Sequence, residues 1–230
     1  MTIEMSILGK SANVRLCATF SWLAVCDSHG SHLTRFFEQN GASTVVISGG
    51  GLEHADEFFK DPRGGQLLHS LNAIFILLGG NDVAQGHAPH VITYHLRRII
   101  INLSMVRPEC RIITASYIPR SNRVDGGDQF IRDTERVDRL IQKACPNHHH
   151  LLSDAFIGDM SEKGAVTTRK GLYNNDKIHL NSEGRQQWQQ ILSFAFTAVN
   201  RDDYSHRMEV PGFYPGGTRI PDFRVAFFKF

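Results

Sequence analysis

The sequence predicts a three-layer α/β fold built around a parallel sheet, and three features of the chain support this. Short apolar runs alternate along the chain with longer segments that have helical spacing. These runs are almost continuously apolar, which is typical of strands that are covered on both faces. The length of 230 residues, with 41% hydrophobic and 21% charged residues, suits one globular α/β domain with a short appendage.

The predicted elements follow one another as strand and helix. The strands are Thr19–Val25, Ser43–Ser48, Ala73–Leu78, Arg111–Tyr117 and a weaker His149–Ser153. The helices are Ser31–Gln39, Leu52–Lys60, His90–Met105, Phe130–Ala144 and Ser182–Val199, the last with Ser182 as its expected N-cap. We expect one domain over residues 1–200 and a C-terminal extension over residues 201–230, because the composition changes there to Pro, Gly and aromatic residues.

Composition excludes several kinds of protein. A net charge of +2 gives no strong electrostatic signal for nucleic acid or an anionic membrane. The four cysteines are scattered, so neither a zinc site nor a disulfide framework is indicated. The sequence shows no signal peptide at its start and no apolar window of spanning length, so we expect an intracellular protein, cytoplasmic or nuclear.

A serine follows the first predicted strand, in Cys26-Asp27-Ser28-His29-Gly30. Ligands of parallel sheets bind at the carboxyl ends of the strands, so Ser28 lies where a nucleophile would be exposed. Its backbone N–H, at the start of a helix, could also donate to an oxyanion. The structural alternative is that Ser28 only caps the helix.

Glycine-rich segments follow the second and third strands. Gly49-Gly50-Gly51 would let the backbone approach a ligand and present N–H groups to it. Asn81, in Gly79-Gly80-Asn81-Asp82, could donate its side-chain amide to an oxyanion. Each segment, taken alone, also fits a tight turn.

A histidine with an aspartate three residues before it precedes the last predicted helix. Asp176 could fold back onto Nδ1–H of His179 and leave Nε2 free to take a proton from a serine. A solvated loop is the alternative for this pair alone. The joint placement of four such segments, after three successive strands and before the last helix, favours a catalytic site.

The four segments resemble the sequence blocks of the SGNH (GDSL-like) hydrolase superfamily, over about residues 25–188. In this resemblance Ser28 is the nucleophile, and Asp176 and His179 complete the triad. Gly49 most resembles the glycine of the second block, and Asn81 the asparagine of the third. The resemblance implies a flavodoxin-like sheet of five parallel strands, no metal or organic cofactor, and an oxyanion hole made of the Ser28 N–H, the Gly49 N–H and the Asn81 side chain.

The first block departs from the common Gly-Asp-Ser-Leu form. Cys26-Asp27-Ser28-His29 is similar to the esterase-like domains of animal retroelement proteins, as is Tyr117-Ile118-Pro119-Arg120. We expect His29 and Gly50 to line the substrate pocket, although His29 could instead cap the helix. One branch of the fold, the Oskar-type domain, lacks the catalytic residues and binds RNA, whereas this sequence keeps them.

The resulting expectation is a serine esterase acting on a small-molecule ester with a small or medium acyl group, acetyl or lipid acyl. A sugar O-acetyl group, a phospholipid acyl chain and a thioester remain open as substrates, because the same residues serve all three. The rival hypothesis is a noncatalytic module that binds RNA or protein on the same fold. Nucleic acid is a candidate partner only through a larger retroelement context, because the net charge does not indicate it. The oligomeric state stays open.

Overall fold

The computed structural model describes residues 2–17, 21–120, 126–145, 149–151, 157–160, 166–168, 171–201, 208–210 and 223–225. The strands are β1 (Thr2–Ile7), β2 (Lys10–Arg15), β3 (Trp22–Cys26), β4 (Ala42–Ile47), β5 (Ala73–Leu77), β6 (Arg111–Ala115), β7 (His149–Leu151), β8 (Ile157–Met160), β9 (Val166–Thr168), β10 (Met208–Val210) and β11 (Phe223–Val225). The helices are α1 (Ser28–Ser31), α2 (Thr34–Gln39), α3 (Leu52–Lys60), α4 (Pro62–Leu68), α5 (Gly80–Ala84), α6 (Pro89–Val106), α7 (Gly127–Ala144) and α8 (Ser182–Arg201).

The main sheet confirms the predicted α/β class. In the described part of the chain it has seven strands in the order β1-β2-β4-β3-β5-β6-β7. The five strands from β4 to β7 run parallel, as expected. The expected sheet of five strands is nevertheless too small, because β1 and β2 form an antiparallel hairpin that pairs with β4.

The hairpin was not predicted because its apolar side chains alternate with exposed ones. Met5 and Ile7 of β1 and Ala12 and Val14 of β2 are buried, whereas their neighbours are mostly exposed or half-buried. Such a pattern belongs to a strand with one solvated face and is weaker in a sequence than the continuous runs of the central strands. β3 and β4, in contrast, are buried along their whole length.

Two helix predictions need correction. The segment Ser31–Gln39 holds two short helices, and the first begins already at Ser28. Ser182 is the first residue of α8 and not its N-cap. Asn181 takes that place, because its side-chain Oδ1 accepts the backbone N–H of Gly184 at 3.0 Å, the usual bond from an N-cap to the third helical residue.

Helices cover the sheet on both faces, and each face has its own hydrophobic core. On one face Leu23 and Val25 of β3 pack with residues of α3, α6 and α7. On the other face Trp22, Ala24 and Phe75 pack with Trp188, Ile191, Leu192 and Phe196 of α8 and with Phe37 of α2.

An aromatic stack fixes α8 to the sheet. The ring of Phe196 lies with its centroid 4.6 Å from that of Trp22 and 4.7 Å from that of Phe75. This contact places the start of α8, and the loop directly before it, near the carboxyl ends of the central strands. Among the described helices, none has the length and apolarity to cross a membrane.

Candidate active site

Ser28 and His179 meet at the carboxyl edge of the sheet although 151 positions separate them in the sequence. Ser28 Oγ lies 3.1 Å from His179 Nε2, and His179 Nδ1 lies 2.8 Å from Asp176 Oδ2. Because the carboxylate only accepts, Nδ1 carries the hydrogen in the neutral ring and Nε2 accepts from the serine hydroxyl. The structure thus brings the three predicted triad residues into one hydrogen-bonded series.

The loop that carries His179 is built around the Asp176 carboxylate. Oδ1 accepts the backbone N–H groups of Ile178 and His179, both at 2.9 Å. Burial acts to raise the pKa of Asp176, but the hydrogen bonds from His179 and from these two N–H groups outweigh it and lower that pKa to about 2. Asp176 therefore stays ionised and can orient the imidazole over a wide pH range.

Ser28 lies just after the end of β3. In the sheet this strand has β4 on one side and β5 on the other. Asp27 caps α1, because its Oδ1 accepts the His29 N–H at 2.9 Å. Gly30 leaves room for the Cys26 side chain, since a Cβ there would lie 1.9 Å from Cys26 Sγ. The Ser28 N–H makes no hydrogen bond to any residue that the structure describes.

The three glycine N–H groups in the turn after β4 differ in their hydrogen bonds. Gly50 N–H donates to the Ile47 carbonyl at 2.9 Å, and Gly51 N–H contacts His54 Nδ1 at 3.2 Å. Gly49 has a positive φ of 67°, and its N–H has no partner within the described chain. Of the three glycines, Gly49 is thus the one whose N–H has no partner among the described residues.

Asn81 lies against this turn. Its side-chain Nδ2 donates to the Gly50 carbonyl at 2.9 Å. The same nitrogen has a second hydrogen. Gly50 was predicted to line the pocket. Its N–H donates to the Ile47 carbonyl and its own carbonyl accepts from Asn81, so both of its backbone polar groups are hydrogen-bonded within the turn and its contact to Asn81.

Asp82 has a role that sequence reasoning missed. This buried carboxylate accepts the Leu52 backbone N–H at 2.9 Å through Oδ2, and so connects the segment after β5 to the start of α3. A Cβ on Gly51 would lie 2.4 Å from the same oxygen, so the approach requires glycine. The only signal in the sequence is the Asp that directly follows Asn81.

His29 lies beside the triad. Its Nδ1 is 3.3 Å from Asp27 Oδ1, its Nε2 is 3.2 Å from the Ile178 carbonyl oxygen, and its ring centroid is 5.1 Å from that of His179. A neighbouring cleft is lined by His29 and Asn81, whereas Gly50 is not among the residues that line it. Tyr117, Arg120 and Phe130 also line this cleft, and sequence analysis had assigned them no place in a site.

The run His148-His149-His150 does not form a metal site in the described residues. His150 is buried, with Nε2 at 2.8 Å from Asp138 Oδ1 and Nδ1 at 2.6 Å from Thr114 Oγ1. These contacts join β7 to α7 and β6. His148 lies outside the described residues, as does the closing aromatic run Phe227–Phe230.

Several solved structures share this fold. A GDSL-like lipase from Bacteroides thetaiotaomicron has a TM-score of 0.58 at 15% identity, and the match covers 79% of this chain and 89% of that one. The psychrotrophic esterase EstA from Pseudoalteromonas sp. has a TM-score of 0.53 at 12% identity, covering 79% and 99%. The OSK domain of Drosophila Oskar has a TM-score of 0.54 at 15% identity, covering 79% and 89%. At these identities the likeness establishes the fold alone.

No curated protein matches the sequence significantly. The sequence profile of the GDSL-like lipase/acylhydrolase family does match, over residues 19–187, a span that contains all four polar segments. With a match over more than half of the chain, this protein belongs to the GDSL-like lipase/acylhydrolase family.

Proposed function

We propose that this chain is a serine esterase that hydrolyses small or medium acyl esters, acetyl or lipid acyl. Ser28 is the nucleophile, His179 the general base and Asp176 the group that orients it. The observation that carries the proposal is the continuous series of contacts at 3.1 and 2.8 Å from Ser28 Oγ through His179 to Asp176. Family membership supports acyl hydrolysis in general.

The reaction proceeds in two halves. Ser28 Oγ attacks the ester carbonyl carbon while His179 Nε2 takes its proton, and the carbonyl oxygen becomes an oxyanion. When the carbon–oxygen bond to the alcohol breaks, His179 returns the proton to the leaving alcohol. A water molecule then attacks the acyl-enzyme with His179 again as base, which releases the acid and restores the serine.

The oxyanion is bound by three donors in this proposal. They are the backbone N–H groups of Ser28 and Gly49 and the second hydrogen of the Asn81 side-chain amide. None of these three hydrogens is used by a bond within the described residues. Donors that are fixed before the reaction stabilise the developing charge without reorganisation, which is the main source of rate in such sites.

The first test is hydrolysis of p-nitrophenyl acetate, and then of longer acyl esters, at neutral pH. The wild type is expected to turn over and Ser28→Ala to be inactive but folded. Ser104→Ala is the matched control, because this exposed serine near the end of α6 is remote from the site. A p-nitrophenyl phosphonate ester should release p-nitrophenol and leave its phosphonyl group on the wild type and the control, but not on Ser28→Ala.

The competing function is a noncatalytic module that binds RNA or protein on the same fold. The likeness to the OSK domain of Drosophila Oskar is the observation that favours it. An absence of Ser28-dependent hydrolysis and labelling at every chain length would contradict the esterase and support the module, with RNA binding as the next measurement.

We further propose that the hydrolase unit spans residues 1–200 and that residues 201–230 form an extension. The family match up to residue 187 and the end of α8 at Arg201 support this division. The intracellular location and the retroelement context stay predictions from the sequence.

A further inference from the structure

His29 lies between the turn that carries Ser28 and the loop that carries His179. It directly follows Ser28 in the sequence, and its ring nitrogen Nε2 lies 3.2 Å from the carbonyl oxygen of Ile178, the residue directly before His179. The other ring nitrogen, Nδ1, lies 3.3 Å from Asp27 Oδ1. One imidazole therefore connects two segments 149 positions apart, each next to a member of the proposed triad.

Both ring nitrogens of His29 face oxygen atoms that can only accept a hydrogen bond. A neutral imidazole has one N–H and one lone pair, so one of the two contacts would direct a lone pair at an oxygen. An imidazolium donates from both nitrogens and satisfies the carboxylate of Asp27 and the carbonyl of Ile178 together.

The Asp27 carboxylate accepts the His29 backbone N–H, and a positive partner would stabilise it further. Its side chain is 9% exposed and that of His29 is 19% exposed. A buried carboxylate is stable in its ionised form only when a counter-charge or strong hydrogen bonds compensate it. Within the described chain, His29 is the one basic side chain in ion-pair distance of Asp27, at 3.3 Å.

We propose that His29 acts as an imidazolium positioning residue: it binds Asp27 and the Ile178 carbonyl at once and so holds the His179 loop against Ser28. We call these two contacts the His29 clasp. Its effect on turnover rests on the proposed esterase function, whereas the charge on His29 does not.

The groups around His29 determine the pH up to which it keeps its proton and both contacts of the clasp. Burial acts to lower the pKa of His29, but the hydrogen bond and charge of Asp27 and the Ile178 carbonyl outweigh it, so that pKa lies above its ordinary value. Arg120, in the loop after β6, opposes this increase. The His179 ring faces His29 from the loop before α8, and its Nδ1 lies 2.8 Å from the Asp176 carboxylate.

His32, three residues further on, is largely exposed. The part of its ring that is buried lowers its pKa, and the positive charges of Arg185, His179 and His29 lower it further. The pKa of His29 is thus expected above the ordinary histidine value and the pKa of His32 below it.

The charge on His29 can be measured without any substrate. In wild-type protein labelled with ¹⁵N-histidine, long-range ¹H–¹⁵N spectra report whether each ring nitrogen carries a proton. We expect both nitrogens of His29, identified by their loss in His29→Gln, to stay protonated to a higher pH than those of His32. A neutral His29 with a single N–H at pH 6 would overturn the proposal.

The position of His179 is read in the same spectra. Glutamine at position 29 can donate to the Ile178 carbonyl but has no charge for Asp27. We expect the His179 ring resonances, identified by their loss in His179→Gln, to move in His29→Gln and to stay in place in His32→Gln. Unchanged His179 resonances in His29→Gln would also overturn the proposal, whether or not the protein hydrolyses esters.

Kinetics test the consequence for turnover. Misplacement of a catalytic group by a fraction of an ångström to one ångström lowers rates by up to about 100-fold, so we expect kcat of His29→Gln to fall by roughly 10- to 100-fold with KM within about twofold. Wild-type kcat should decline as pH rises through the range in which His29 loses its proton, and His29→Gln should lack that decline. His32→Gln is the control and should keep the wild-type profile.

The outcomes separate the two proposals. The same decline of kcat with rising pH in the wild type and in His29→Gln would overturn the positioning role. A charged His29 and a displaced His179 in His29→Gln, in a protein without Ser28-dependent hydrolysis, would support the clasp and refute the esterase.

Discussion

The side-chain amide of Asn81 donates to the Gly50 carbonyl oxygen at 2.9 Å, and this bond joins the segment after β5 to the glycine turn after β4. Asn81 therefore has two functions in the proposed site. One amide hydrogen fixes the turn that presents the Gly49 N–H, and the other is available for the oxyanion.

Substitution of Asn81 by alanine tests this double function. Loss of one oxyanion donor lowers kcat by about 10²- to 10³-fold in comparable sites, and we expect at least this loss because the glycine turn also loses its partner. The measurement is kcat on p-nitrophenyl acetate, with circular dichroism to establish folding. Asn102→Ala, on the exposed face of α6, is the control. An unchanged rate in Asn81→Ala would exclude Asn81 from the oxyanion hole.

The contribution of Asp82 to stability and turnover should depend on the side-chain oxygen that accepts the Leu52 N–H. In Asp82→Ala the Leu52 N–H loses its partner, so we expect a loss of about 1–3 kcal/mol in the free energy of unfolding and a lower kcat. Asp82→Asn keeps a carbonyl oxygen at the same place and should retain more of both. Urea denaturation and kcat of the two variants check this, and equal losses in both would contradict it.

Gly79 and Gly86 allow a comparison of the cost of a side chain at two different positive φ values. Their φ values are 123° and 79°, but a Cβ would lie 2.3 Å from the Tyr117 ring at Gly79 and meets open space at Gly86. Backbone strain alone costs about 1–2 kcal/mol, which we expect for Gly86→Ala. Gly79→Ala should lose clearly more free energy of unfolding, because the Tyr117 ring must also move. Similar urea midpoints for the two variants would show that Tyr117 yields easily.

The low pKa of Asp176 predicts an acid-dependent stability. Its pKa is about 2 in the folded protein, below the value of about 3.9 in an unfolded chain. The folded state therefore gains stability from the ionised carboxylate above about pH 4, and loses it as pH falls toward about 2. The difference in urea midpoint between the wild type and Asp176→Asn should shrink over that interval. A constant difference would mean that Asp176 does not titrate with folding.

The sequence was sufficient for the parts of this molecule that depend on local pattern. The central strands could be predicted because both of their faces are buried. Ser28, Asp176 and His179 were proposed as a triad because they lie after a strand or shortly before the last helix and resemble family blocks. The structure places the three side chains within hydrogen-bond distance of one another in series.

What could not be predicted depends on contacts between distant segments. The contact from Asp82 to Leu52 spans 30 positions and that from His29 to Ile178 spans 149, and neither leaves a periodic signal. The β1–β2 hairpin was missed for a different reason, because its residues alternate between the core and the solvent.

The aromatic stack beneath α8 has a consequence for refolding experiments. The chain has two tryptophans, Trp22 in β3 and Trp188 in α8, and both are buried in the layer that Phe196 closes. A change in intrinsic fluorescence during refolding is therefore expected to report the docking of α8 onto the sheet, because both indole rings lie where the two meet. Since the His179 loop leads directly into α8, this optical signal should also follow the approach of His179 to Ser28.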